Sequence, residues 1–323
     1  MRVFVTGGAG YIGSHMVKLL GEKGFEVLTY DNLSNGRKEA VLYGHLVVGD
    51  LLDYELLEKT LRDFMPDVVM HFAAKVSVEE SVKEPILYYE NNFCGTLNLL
   101  KAVKKLGIGY FILSSTAAVY GIAQKVPVKE EDPTVPINPY GWSKLFCERA
   151  LIDLRASGYP IKYAILRYFN VAGADPEGKI GQVSKNPTHL ILRALKAAKG
   201  EIPYLEVYGT DYPTKDGTAI RDYIHVMDLV QAHLDVLEYL MKGGQSDVFN
   251  VGYGRGYSVL EIVKVVKEVT GVDFEVKYGP RREGDPPMLI ADNSKILQKT
   301  SFKPKYDDIY TIVKTAWEWE RKQ

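Results

Sequence analysis

Along the first 170 residues, short apolar runs alternate with longer stretches in which apolar positions recur every three or four. The short runs are RVFVT (2–6), FEVLTY (25–30), HLVVG (45–49), DVVMHFA (67–73), YFILSS (110–115) and KYAILRYF (162–169). Several are apolar throughout, the pattern of parallel strands buried on both faces. Between them the spacing predicts helices over 13–23, 53–64, 81–106 and 141–157. This alternation calls for an α/β fold, a doubly wound parallel sheet of the Rossmann type.

After residue 170 the pattern changes. Residues 171–187 are rich in Gly, Pro and Asp and read as a loop. A helix over 188–199, a strand with turns over 204–218, a strongly apolar helix over 225–242, a short strand over 247–252 and a capped amphipathic helix over 258–271 follow. The expected organisation is a dinucleotide-binding region over 1–169 and a smaller, loop-rich α/β substrate region over 170–323, interleaved, with 225–252 returning to the first.

Composition narrows the functions. Lys plus Arg number 40 against Asp plus Glu 41, so no basic surplus points to nucleic acid. No apolar run reaches about 18 residues, so no membrane span is expected. The chain opens directly into a strand and a glycine turn, so no signal peptide is expected. Cys94 and Cys147 fall in helix-like segments and are expected to be buried free thiols in a reducing, cytoplasmic setting. No Cys/His cluster has metal-ligand spacing, so no metal is expected.

The turn VTGGAGYIGSH joins the first strand to the first helix. Gly8, Gly10 and Gly13 fit G-x-G-x-x-G, and Gly7, Gly10 and Gly13 fit G-x-x-G-x-x-G. Such glycines allow a tight turn, close approach of backbone to a pyrophosphate, and close helix–strand packing. The helix N-terminus adds free N–H groups for phosphate. The next strand ends at Asp31, 18 residues past Gly13, where a carboxylate accepts from an adenine-ribose hydroxyl and repels a 2′-phosphate. The expected cofactor is therefore NAD. Gly49 and Asp50, ending the third strand, are candidate adenine contacts.

Only two of the 22 tyrosines have a lysine four residues on: Tyr140 with Lys144, and Tyr310 with Lys314. Spacing alone does not separate them, but context does. Tyr310 lies in an ordinary amphipathic pattern. Tyr140 opens a helix after a strand ending in Ser114, Ser115 and Thr116, whose hydroxyls should face a ligand beyond the sheet's carboxyl edge. On a helix, Lys144 can lie beside Tyr140. Bringing a tyrosine from a pKa of about 10 to about 7 takes roughly 4 kcal/mol. One positive charge at about 4 Å supplies roughly that at an effective dielectric of 20, and Lys144, with the oxidised nicotinamide ring as a second positive charge, is expected to supply it. A tyrosinate so prepared is a general base for a sugar hydroxyl.

The pieces TGGAGYIGSH, Asp31, HFAA, SSTAAVYG and YGWSK resemble the extended short-chain dehydrogenase/reductase family. YDNLSNG (30–36), RYFNVAGA (167–174), DYPTKDGTAIRDYIHVMDL (211–229) and RREGD (281–285) narrow the resemblance to its nucleotide-sugar 4-epimerases, over nearly the whole chain. The resemblance implies interconversion of UDP-glucose and UDP-galactose by transient oxidation at sugar C4 with tightly bound NAD, as in galactose metabolism. Tyr140 would be the base, Lys144 would lower its pKa and hold the ribose, and Thr116 would bond the reacting sugar oxygen. NAD would meet Gly7, Gly10, Tyr11, Ile12, Gly13, the run Asp31, Asn32, Leu33, Ser34, Asn35 and Gly36, then Asp50, Leu51, Phe72, Ala73, Ala74, Asn91, Ser114 and Phe169. The UDP-sugar would meet Asn170, His189, Leu190, Glu206, Val207, Tyr208, Arg221, Arg282, Asp285 and Leu289. The two arginines suit a diphosphate. A homodimer through helices 81–106 and 141–157 is also implied.

Three positions depart from that pattern. Lys75 stands one place before the usual lysine, whose slot holds Val76. Leu289 replaces a frequent tyrosine and would enlarge the sugar pocket toward UDP-N-acetylhexosamines. Thr116 replaces a serine and keeps the hydroxyl. Alternatives are a 4-epimerase of another nucleotide sugar, a 4,6-dehydratase and a non-catalytic NAD-binding regulator. The dehydratase pattern has Asp-Glu where this chain has Ala117 and Ala118, and a regulator would have lost Tyr140 or Lys144.

Overall fold

The computed structural model describes all of residues 1–323 except 185–186 and 283–284. The first elements are β1 (Arg2–Thr6), α1 (Tyr11–Glu22), β2 (Glu26–Asp31), β3 (His45–Val48), α2 (Tyr54–Phe64) and β4 (Val68–His71). Next come α3 (Val78–Lys83), α4 (Pro85–Tyr88), a π-helical turn (Tyr89–Cys94), α5 (Gly95–Leu106), β5 (Tyr110–Thr116), α6 (Pro139–Ala156) and β6 (Lys162–Tyr168). The rest holds β7 (Asn170–Ala172), α7 (Leu190–Lys199), β8 (Leu205–Tyr208), β9 (Ile220–His225), α8 (Val226–Met241) and β10 (Asp247–Val251). It ends with β11 (Gly256–Ser258), α9 (Val259–Thr270), β12 (Val276–Gly279), β13 (Met288–Leu289), α10 (Ser294–Lys299) and α11 (Ile309–Glu320).

Seven parallel strands form one sheet in the order β10-β6-β5-β4-β1-β2-β3. The strand order reverses between β1 and β4, so the carboxyl edge there opens a crevice for a ligand. β10 joins the sheet from far along the chain by pairing with β6. One face carries α1 and α8 over a core that includes Val3, Val5, Met70, Ile112 and Phe249. The other carries α2, α5 and α6 over Phe4, Val69, Phe111, Leu113 and Ile165. A third core joins α7, α9 and α11 with β8 and β9. There β9 pairs with β7, β11 and β13, and β8 pairs with β12.

Two expectations need correction. The helix expected over 81–106 is broken. Pro85 lacks an N–H and disfavours helical backbone before it, and Glu84 accordingly sits at φ −127°, ψ 61°. Beyond it the π turn leaves the Asn92 carbonyl to accept from Thr96 Oγ1 at 2.6 Å and Cys147 Sγ at 3.3 Å. The second concerns the thiols: Cys147 is buried, but Cys94 lies on the outward side of that turn and is exposed.

Candidate functional site

The glycine turn follows β1 directly. Gly7 has φ +68°, and a Cβ there would lie 2.6 Å from the Ala73 nitrogen. A Cβ on Gly13 would lie 2.1 Å from the Gly7 carbonyl oxygen, so α1 can approach β1 only through glycine. Gly10 caps α1 without a side chain, and among the described residues the only atom near its missing Cβ is the Gly7 oxygen at 3.3 Å. The first-turn N–H groups of Tyr11 and Ile12 therefore face the crevice with no side-chain cap, a ready anion site. The Tyr11 hydroxyl instead turns back to donate to the Gly173 carbonyl at 2.6 Å.

Asp31 organises the loop after β2. Its carboxylate accepts from the Ala9 N–H at 3.0 Å and the Leu33 N–H at 2.8 Å, leaving acceptor capacity for hydroxyls. Leu33 takes φ +59°, Asn32 Oδ1 accepts from the Ser34 N–H, and Gly36 packs on Ala9. The run Asp31–Gly36, Asn35 included, thus wraps the glycine turn. Asp50 accepts from Asn32 Nδ2 at 2.9 Å, and Leu51 is buried behind it. Phe72, Ala73 and Ala74 leave β4 at the same edge, with the Ala73 N–H donating to Thr6 Oγ1 at 3.3 Å.

The acid–base candidates lie one strand further along. Asn138 caps α6 by accepting from the Gly141 N–H at 2.8 Å, and Pro139 supplies the first helical residue. A Cβ on Gly141 would lie 2.8 Å from the Ala118 carbonyl, so the helix start packs closely on the turn after Thr116. Tyr140 retains some surface, yet it lies deep enough in the crevice for surrounding protein to desolvate its hydroxyl. That burial pushes its pKa up, and a hydrogen bond with the Thr116 side chain opposes the rise. Lys144 is 3% exposed; burial pushes its pKa down, against the pull of Cys147 and Glu148. In the protein's own groups desolvation dominates, and the second positive charge expected beside Lys144, that of the nicotinamide ring, is not one of them. Tyr310 is 46% exposed and donates to Glu268, a surface contact.

Side chains that sequence reasoning missed hold this arrangement. Asn92, next to the expected Asn91, accepts from the Lys75 N–H and donates to the Lys75 carbonyl and to Ser143 Oγ, all at 2.8–3.0 Å. It ties the segment after β4 to α6 one residue before Lys144. Glu148 takes Arg167 Nη2 at 2.7 Å and Nε at 3.0 Å, and accepts from Ser115 Oγ. In the sheet register Ser115 pairs with Arg167 and Thr116 with Tyr168. Alternation therefore aims Ser115 and Arg167 at α6, while Ser114, Thr116 and Tyr168 share the other face. These polar residues carry no motif; only their spacing from Lys144 and the strand alternation hint at them.

On the other side, Phe169 packs with Ala117, Tyr120 and Leu289. Asn170, His189 and Leu190 line one small cavity with Tyr223 and Trp319. Burial pushes the His189 pKa down, so its ring is neutral. Glu206, Val207 and Tyr208 form β8, and the Arg282 guanidinium stacks 3.9 Å over the Tyr208 ring. Arg221 pairs with Asp285 at 3.8 Å and lies opposite Leu289 in register. Residues 283–284 of the RREGD segment lie outside the described residues. Arg193, three residues past Leu190 on α7, was not expected; its Nε is buried without a partner among the described residues. No cluster of three potential metal ligands occurs among the described residues.

Comparison with known proteins adds to this geometry. The profile of the NAD dependent epimerase/dehydratase family matches residues 3–252. The UDP-glucose 4-epimerase of Azospirillum brasilense is 50% identical over 99% of this chain and 92% of its own length. The crystal structure of UDP-glucose 4-epimerase from Brucella ovis in complex with NAD is 46% identical, with a TM-score of 0.95 over 98% of this chain and 97% of that one. The UDP-Glc/GlcNAc 4-epimerase of Campylobacter jejuni is 45% identical, with a TM-score of 0.88 over 100% and 99%.

Proposed function

The chain belongs to the NAD dependent epimerase/dehydratase family, and on that premise we propose that it is a UDP-glucose 4-epimerase that keeps its NAD through turnover. The observation that carries the reading is the desolvated Tyr140–Lys144 helix start packed closely on the turn that follows Thr116, beside a glycine turn that a side chain would block. The residues present fit NAD. Uncapped N–H groups of α1 suit its pyrophosphate, Asp31 retains acceptor capacity for ribose hydroxyls, and Phe72 and Phe169 follow β4 and β6 at the same carboxyl edge. NAD supplies the acceptor and later the donor of the sugar C4 hydride.

The chain's own groups do the rest. Arg221 and Arg282 hold the diphosphate, with Arg193 available as a third cation. Asn170, His189 and Leu190 fix the nucleotide end. Thr116 bonds the sugar O4, and Tyr140 takes its proton. The 4-keto sugar turns so that C4 presents its other face while the diphosphate stays held, and Tyr140 returns the proton to O4. Burial favours the protonated form of Tyr140 in the protein alone, and Lys144, together with the positive charge that oxidised NAD would supply when bound, would favour the ionised form needed of the base.

Leu289 favours a second activity. It lies half-buried against the Phe169 and Ala117 cluster, where a shorter side chain than tyrosine leaves room for an N-acetyl group. The Campylobacter relative is described as acting on both sugar types. We also propose a homodimer. Ile86, Leu97 and Phe146 are exposed beside a contiguous ring cluster of Tyr89, Phe93, Trp142 and Phe146. A reducing, cytoplasmic setting fits the two unpaired cysteines.

The test uses purified protein with no added cofactor. Conversion of UDP-galactose to UDP-glucose supports the reading, and conversion of the UDP-N-acetylhexosamine pair supports the Leu289 argument. No conversion of either pair, with NAD supplied, contradicts it.

A further inference from the structure

The residue after Arg221 on β9 is a carboxylate that the proposed mechanism does not use. Asp222 is 0% exposed, and three backbone N–H groups converge on it. Oδ1 accepts from Tyr253 at 2.9 Å. Oδ2 accepts from Gly254 at 2.9 Å and from Ala291 at 3.1 Å. Burial pushes its pKa up to about 6, against the pull of those N–H groups, so it is ionised at neutral pH. An ionised carboxylate accepts at both oxygens, whereas an amide would turn an NH2 group toward at least one of the three donors.

The donors come from two loops. Tyr253 and Gly254 follow β10, the edge strand of the seven-stranded sheet. Ala291 follows β13, whose Leu289 lies opposite Arg221 in register. β13 is only two residues long, so its ladder alone holds Leu289 weakly. The chain just beyond it is fixed by Asp222 on one side and Val128 on the other. The Val128 N–H donates to the Ile290 carbonyl, and the Val128 carbonyl accepts from the Asp292 N–H, both at 2.8 Å. A Cβ on Gly252 would lie 2.7 Å from Asp222 Oδ2 and 2.9 Å from the Ala291 Cβ, so the carboxylate fits there only beside a glycine. One carboxylate thus ties the strand of Arg221 to the wall that carries Leu289 and to the edge of the sheet in which β5 ends at Thr116.

We infer that Asp222 is a positioning residue for sugar selectivity: by holding the segment after β13 against β9, it keeps Leu289 at a fixed distance from Arg221 and so sets the width of the sugar pocket. This deepens the epimerase reading above and rests on it. On that reading Arg221 and Leu289 meet the sugar nucleotide before and during reaction alike, while Tyr140 and Thr116 stand on other elements. Loss of the clamp therefore weakens binding and leaves the chemical step nearly unchanged.

Four proteins test it, each carrying the NAD with which it is purified: unsubstituted, Asp222→Asn, Gly252→Ala and Leu61→Ala. The new Cβ of Gly252→Ala pushes Oδ2 off its donors without touching Asp222. Leu61→Ala loses stability in the core under α2, away from the clamp. For UDP-galactose, KM rises about tenfold in Asp222→Asn while kcat stays within about threefold. A loosened wall yields to a larger group, so the ratio of kcat/KM for UDP-galactose to that for UDP-N-acetylgalactosamine falls at least about fivefold. Gly252→Ala moves both quantities the same way, and Leu61→Ala moves neither. Hydrogen exchange, read by mass spectrometry, speeds up in the peptide holding residues 288–292 of Asp222→Asn and stays as it was in the peptide holding β1. An unchanged KM and an unchanged ratio in Asp222→Asn overturn the inference, as does a fall in kcat with KM unchanged. A Leu61→Ala protein that shifts the ratio as far also overturns it, because lost stability would then be the cause. If Asp222→Asn does not fold, Gly252→Ala decides by the same readouts. Failure of the epimerase reading shows itself differently, as an unsubstituted protein that converts neither sugar pair. The exchange readout then decides the clamp, and unchanged exchange at 288–292 overturns it.

Discussion

Glu148→Gln probes whether a buried ion pair sets the position of the helix that carries Tyr140 and Lys144. Glu148 and Arg167 have side-chain exposures of only 2% and 6%. The carboxylate takes two guanidinium N–H groups, at 2.7 and 3.0 Å, and the Ser115 hydroxyl. The amide leaves Arg167 charged, buried and without a counter-charge. Breaking such a pair from one side costs about 3–5 kcal/mol. Arg167 keeps the Tyr120 hydroxyl at 2.9 Å and the Glu130 carbonyl at 3.1 Å, which places the expected loss near the lower end, about 3 kcal/mol. Against a typical stability of about 5–15 kcal/mol, the variant still folds. Urea unfolding at neutral pH, followed by fluorescence and by circular dichroism, measures the loss. The double variant Glu148→Leu/Arg167→Met removes both charges and should be less destabilised than the single one. A loss below about 1 kcal/mol in Glu148→Gln would refute the reasoning, since surface pairs alone cost that little. So would a double variant less stable than the single.

Three further outcomes are expected. Tyr140→Phe abolishes turnover while urea unfolding stays close to that of the parent, whereas Tyr310→Phe leaves kcat within about threefold; equal losses would show that the strand-end context does not distinguish the two tyrosines. Gly13→Ala forces a Cβ to 2.1 Å from the Gly7 oxygen, so the purified protein should lose its bound nucleotide, read from the ultraviolet absorbance ratio, together with stability. Burial lowers the pKa values of His15 and His233 to about 4 and of His71 and His225 to about 3. Folded pKa values below the unfolded value of about 6.5 mean that this stability is complete above that pH and is lost as pH falls toward 4. The urea midpoint should therefore drop steadily across that window, and a flat midpoint would show that these rings are charged in the fold.

The sheet was legible because buried parallel strands are written as unbroken apolar runs: RVFVT, YFILSS and KYAILRYF each became a strand. β7 and β9 were not, because NVA and IRDYIH are short, polar in part and stabilised by pairing with each other across 53 residues of chain. Helical periodicity from 81 to 106 hid a break, since Pro85 and the π turn leave the three-to-four spacing of apolar residues nearly intact. The crevice was legible through glycines and Asp31, where backbone geometry restricts residue type. Asn92, Glu148, Arg167 and His233 were not, because their partners come from distant strands and helices and only the fold brings them together. The size of the desolvation at Tyr140 was not legible for a related reason. Spacing places Lys144 nearby but does not weigh its attraction against desolvation, and in the protein desolvation is the larger effect.

The central claim is that the hydride leaves sugar C4 and returns to the same carbon while Tyr140 handles only the proton. UDP-galactose deuterated at C4, incubated with the purified protein in ordinary water, tests this directly. The account predicts that the UDP-glucose formed retains the deuterium at C4, as read by mass spectrometry and proton NMR. Loss of the label to water would contradict it, because the carbon-bound hydrogen would then have been removed as a proton rather than held as a hydride.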